Sequence, residues 1–211
     1  MLDMAIQKSY QERFRTIRML EKENLCSEKD QLNSSFKELK KNGFFECSSN
    51  NYYIKEISSY EETSDDFKTR KGYFLYELVC LCLETGQMMN FEWEYDDELE
   101  ISATSERIAF RNLTDDSGET IDEDDLEKIA NDKDGIVLEN EKFWYADDWA
   151  AIYKRGDREE KVYMYEFEND SHTKFLTIEE WPGSGKDEYQ IYTSTPVQKD
   201  SILVISKGEH S

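Results

Sequence analysis

The sequence predicts a mainly β (α+β) protein: two related antiparallel β-meander halves forming a sandwich or barrel-like core, with an N-terminal helical hairpin. Three observations predict it. Residues 1–42 carry apolar side chains at spacings of three and four, the helical period. From Phe44 onward the apolar residues are aromatic or β-branched and fall in short runs separated by turn residues. Those runs also come in the same order twice.

Ile6, Tyr10, Phe14, Ile17 and Leu20 form one face of the first expected helix. Ser27 with Asp30 reads as a capping box opening a second, whose stripe is Leu32, Phe36 and Leu39. Lys40-Lys41-Asn42-Gly43 ends it, with cations at the negative helix terminus and a glycine able to take positive φ. Strands are expected at Asn51–Ile54, Tyr73–Val79, Met89–Tyr95, Leu99–Ile101 and Ile108–Phe110, with a hairpin turn at Glu84–Gln87. Residues 115–134 form an acidic linker with ten Asp or Glu against two Lys. Thr120 and Glu123 there suggest a cap for a short helix striped by Leu126, Ile129 and Ala130. Strands resume at Gly135–Leu138, Lys142–Tyr145, Lys161–Tyr165, Phe175–Ile178, Tyr189–Tyr192 and Ile202–Ile205. The expected organisation is thus a helical segment (1–42), a first β half (43–113), the acidic linker (114–135) and a second β half (136–211).

The repeat runs Tyr76-Glu77-Leu78, Phe91-Glu92-Trp93 and Asp97–Ile101 in the first half. The second half answers with Tyr165-Glu166-Phe167, Ile178–Trp181 and Asp187–Ile191. Two meanders of this kind would pack on one another and hide their strand edges.

Composition narrows the function classes. The chain has 211 residues and a formal net charge of −22, with 13% aromatics. So many aromatics mark a folded acidic protein rather than a disordered acidic tail. No apolar stretch approaches the roughly 18 residues of a membrane-spanning helix, and Asp3 interrupts any secretory signal. We therefore expect no membrane insertion, no direct nucleic-acid binding and a cytoplasmic location. Cys26, Cys47, Cys80 and Cys82 include no C-x-x-C pair, so free thiols are expected, Cys80 and Cys82 buried in an apolar run. Histidines number two, His172 and His210, which leaves little material for zinc sites or histidine triads. No metal or cofactor is expected. An EF-hand alignment on Asp132, Asp134, Gly135 and Glu141 fails at its first ligand, Ala130. Gly183-Ser184-Gly185-Lys186 lacks the first glycine and the Ser/Thr of a phosphate loop, and reads as a turn.

Those same stretches carry a family resemblance. Tyr76-Glu77-Leu78, Phe91-Glu92-Trp93-Glu94, Asp96–Glu100 and Leu176–Trp181 resemble the bacterial Domain of Unknown Function 4178 family, roughly over residues 44–207. Phe143-Trp144-Tyr145-Ala146 and Tyr165-Glu166-Phe167 are similar to its second half. The family has two related β halves and no established activity. Its genes lie near those of spermidine-synthase-like enzymes, small membrane proteins and phage-shock-type proteins. The resemblance implies an accessory role around polyamines or membrane stress, and supplies no catalytic residues.

The candidate ligand-binding residues are Glu92, Trp93, Glu179 and Trp181, a Glu and a Trp from each half. Carboxylates with indole faces suit a cationic ligand, and a carboxylate pair suits hydrolysis. Strict alternation, however, puts Glu92 and Trp93 on opposite faces of their strand. The expected function is a non-enzymatic acidic interaction module with a protein partner or cationic ligand. The alternatives are an immunity protein or nucleic-acid mimic that binds a basic partner, and a carboxylate-based hydrolase. Residues 1–42 hold nine Lys/Arg against seven Asp/Glu, and residues 43–211 seventeen against forty-one. The acidity therefore belongs to the β region, and a partner there should be cationic.

Overall fold

The computed structural model describes residues 13, 15–18, 25–104, 107–183 and 186–209. Of the first expected helix, Arg13 and residues 15–18 are helical, and Ile17 is exposed. Ile6, Tyr10, Phe14 and Leu20 lie outside the described residues. The second expected helix is shorter than its stripe suggests. Helix α1 (Glu28–Asn33) starts at Ser27, whose hydroxyl accepts from the Asp30 N–H, and it stops at Ser34. A 3-10 turn over Phe36–Glu38 follows, with its own capping box on Ser35 and Glu38. The Ser34-Ser35 pair breaks the helix because the Ser35 hydroxyl takes a backbone N–H that helix continuation would need. Phe36 and Leu39 are nonetheless buried against the β region. Positive φ falls on Asn42 rather than on Gly43. Gly43 is needed for space instead: a Cβ there would lie 2.8 Å from the Lys40 carbonyl.

Twelve strands follow. The first six are β1 (Phe44–Cys47), β2 (Asn50–Thr63), β3 (Arg70–Cys82), β4 (Met88–Tyr95), β5 (Leu99–Thr104) and β6 (Leu113–Thr114). Helix α2 (Glu123–Asp132) separates them from β7 (Gly135–Leu138), β8 (Glu141–Arg155), β9 (Arg158–Asn169), β10 (Phe175–Trp181), β11 (Glu188–Pro196) and β12 (Ile202–Ser206). The expected strand at Ile108–Phe110 is absent. Ile108 makes an isolated bridge to Ile191, and Phe110 begins a 3-10 turn. Helix α2 is capped by Asp122 with Asp125, not by Thr120 with Glu123. Three consecutive acids in its first turn also suit the positive end of the helix dipole.

Every pairing is antiparallel, in the order β12-β1-β2-β3-β4-β5-β11-β10-β9-β8-β7-β6. A further pairing, β2 with β8, closes the eight strands from β2 to β8 into a ring. The core is therefore barrel-like. Two long strands make closure possible. The first residues of β2 pair with β1 and its last with β8; the first residues of β8 pair with β7 and its last with β2. Each changes partner just past a register shift, at Ile54/Glu56 in β2 and Tyr145/Asp147 in β8. A bulge bends a strand and sharpens its twist, which lets one strand serve both a flanking ribbon and the ring. The preceding hairpins turn on Ser48-Ser49 and Glu139-Asn140, all four at positive φ as a two-residue type I′ turn requires.

The two largest apolar clusters lie outside the ring. One cluster packs Phe45, Ile54, Leu78 and Phe91 under the Phe36 turn. The other packs Ile136, Phe143, Phe167 and Ile178 under Leu126 of α2. Leu78 and Phe91 face outward, so their strand neighbours Glu77 and Glu92 face the lumen. The four cysteines are free, and Cys80 and Cys82 are buried.

Candidate functional site

The ring encloses a lumen unusually rich in acid. Alternation along β3, β4, β9 and β10 turns Glu77, Glu92, Glu166 and Glu179 inward. Glu77 and Glu92 stand directly opposite one another in register. Ser58, Tyr60, Asn90, Thr104 and Gln190 add polar groups, while Tyr153, Val162, Met164 and Trp181 supply apolar wall. Two connecting cavities occupy this space. The wider, about 830 Å³, opens past Glu94, Glu100, Asp147 and Trp149. The narrower, about 400 Å³, opens past Arg155, Arg158 and Glu188. Glu92 borders both.

The four carboxyls are not equally satisfied. Glu77 accepts from the Ser58 hydroxyl and the Asn90 amide, each at 2.6 Å. Glu179, 5% exposed, accepts from the Tyr60 hydroxyl at 2.9 Å and the Trp181 indole N–H at 3.0 Å. Glu92 has one long contact, with the Ser102 hydroxyl at 3.4 Å. The Thr104 hydroxyl beside it helps favour the ionised form, yet it makes no hydrogen bond of normal geometry. Among the described residues no ion pair reaches any of the four.

Uncompensated burial raises their affinity for protons. Burial, and then the Glu77 and Glu179 charges, push Glu92 up to about 8. Burial pushes Glu179 up to about 7 against the pull of Tyr60 and Trp181. Glu166 also reaches about 7, again by burial, with the Trp149 indole opposing. Glu77 is raised by burial despite its two donors. A glycosidase pair needs environments that drive one carboxyl up and leave the other ionised. Here the same cause drives Glu92 and Glu179 the same way.

Of the four residues expected from the sequence, Glu92, Glu179 and Trp181 line the lumen. Trp93 does not join them. It stacks on Tyr76 at 4.2 Å and packs on the outer apolar cluster, meeting the cavity only at the wide rim. The strand registers explain the difference. Glu92 pairs with Glu77 whereas Glu179 pairs with Met164, so the two are not register equivalents; each follows an outward-facing apolar residue, Phe91 or Ile178, and so turns inward. Trp93, next to Glu92, therefore faces outward, whereas Trp181, two residues after Glu179, shares its inner face. Tyr60, Glu77, Thr104 and Glu166 are further members of the site. An acid isolated within the apolar run of β3 was the available signal for Glu77; Tyr60 and Thr104 carried none.

No curated protein and no solved structure matches the chain. A family model, Domain of unknown function (DUF4178), matches residues 40–199. That span includes the whole eight-stranded ring and all four lumen carboxylates, and the chain belongs to this family.

Proposed function

We propose that the protein is a non-catalytic binding module whose barrel lumen receives a cationic ligand. The observation that carries this reading is Glu92: inward-facing, bordering both cavities, in no ion pair among the described residues, and short of hydrogen-bond donors. Eight-stranded barrels have room for one small ligand. A charged ammonium or guanidinium group there would replace the proton that burial otherwise places on the carboxyl. Tyr153 and Trp181, packed edge to face, offer rings for cation–π contact. The family resemblance points to an accessory role, and polyamines are the first cations to try.

Calorimetric titration with spermidine, putrescine and methylguanidine tests the reading. Wild type should bind at least one of them, and Glu92→Gln should weaken it by about tenfold or more. Binding should tighten between about pH 6 and pH 9, because the proton that the ligand displaces is then already gone. The reading fails if no cation produces heat at millimolar concentration, or if Glu92→Gln binds as well as wild type.

A further inference from the structure

The two mouths of the lumen differ in charge, and the difference gives the cation a direction of entry. Arg155 and Arg158 border the narrow mouth, paired with Glu56 and Glu160, so charges there largely cancel. At the wide mouth the carboxylates of Glu94, Glu100 and Asp147 take part in no ion pair among the described residues. The basic residue lining that mouth, Lys199, is bound to Glu98. Tyr73 is 59% exposed on the same rim, and Trp149 lies just inside. The wide cavity, about 830 Å³, is far larger than one ammonium group needs. Deeper in, beside Glu92, the buried Thr104 hydroxyl has no partner and lines the lumen.

We propose that the wide mouth docks an arginine-bearing peptide segment of a partner protein, one arginine entering the lumen toward Glu92. Charge complementarity selects a basic segment, and the open, aromatic rim leaves room for its backbone. Arginine suits the site better than lysine. Its planar guanidinium stacks on rings such as Tyr73 and Trp149 and still donates to carboxylates at its edge. Inside, its several N–H donors would engage Glu92, whose one contact is the long one from Ser102, with the Thr104 hydroxyl available as a further acceptor. The proposal rests on the cationic reading of the lumen and adds that the cation arrives on a protein.

Fluorescence anisotropy with a labelled Arg-Leu-Arg-Leu-Arg amide, alongside calorimetry with spermidine, tests it on the full chain. The peptide should bind wild type. Rim variant E94Q/E100Q should weaken the peptide by about tenfold while changing spermidine by less than about twofold. Glu92→Gln should weaken both. A control that removes the same charge from α2, D124N/E127Q, should change neither. Spermidine binding without peptide binding overturns the docking proposal and leaves the lumen reading standing. Loss of both ligands overturns both. Peptide binding lowered equally by the rim variant and the α2 control shows unspecific attraction to an acidic surface, and also overturns the proposal.

Discussion

Glu92 shows how one side chain links stability to function. Its carboxyl sits opposite Glu77 and forms no ion pair among the described residues, so folding must either desolvate a charge or bind a proton. The pH consequence follows from the direction of the shifts. Glu92, at about 8, and Glu179, at about 7, lie above the ordinary carboxylate range, so the folded protein holds protons that the unfolded chain has released. That contribution is full at about pH 4.5 and is lost as pH rises through 7 to 8. In the ligand-free protein Glu92→Gln should therefore be nearly neutral at acid pH. Above about pH 8 it should stabilise, on the order of 2 kcal/mol once water in the lumen is allowed for. Urea unfolding of both proteins across that range checks it. A variant equally stable or weaker at high pH would mean that the carboxyl is not buried and charged as described.

Strand β4 shows the same logic at the scale of an element. Neighbours on a strand part company, so Glu92 enters the lumen while Trp93 joins the outer apolar cluster. Trp93→Leu should cost roughly 1–3 kcal/mol of stability through lost packing against Tyr76, with cation affinity unchanged. Trp181→Leu should weaken cation binding as well, because it removes an aromatic ring that offers cation–π contact in the lumen. Paired denaturation and calorimetry separate the two cases.

The chain ends make a second element-scale test. The Glu209 N–H donates to the Lys41 carbonyl, and Lys40 donates to the Lys207 carbonyl, so both ends of the β region are tied together. Gly208, at φ +81°, crosses Gly43 so closely that a Cβ would lie 2.3 Å from the Gly43 nitrogen. Gly208→Ala should cost about 2 kcal/mol or more. Gly118→Ala, at a similar φ of +84° but in open space, should cost about 1 kcal/mol. Equal costs would show that the crossing does not constrain the fold.

At the scale of the whole molecule the barrel is inverted relative to an ordinary core. The two largest apolar clusters lie outside the ring, under α2, the Phe36 turn and the flanking strands, while the inside combines four carboxyls with a smaller cluster around Tyr60, Tyr153 and Met164. The net charge of −22 adds repulsion across the surface as well. Raising salt from about 0.05 M to about 0.5 M should therefore raise the melting temperature of the ligand-free protein, by screening this repulsion. A melting temperature that falls with salt would show that attractive ion pairs outweigh the repulsion.

The sequence by itself determined the β character and the burial of Cys80 and Cys82. Each is written in local pattern: β-branched and aromatic runs and turn residues. Tertiary structure alone decided that the sheet closes. Closure depends on the β2–β8 pairing, between residues some ninety positions apart, and on two bulges that no composition signal marks. It also decided which side of each strand became the inside. Alternation separates Glu92 from Trp93 but does not say which faces the lumen. That was settled when the flanking ribbons and helices covered the apolar faces from outside, leaving the carboxylates to line the space within.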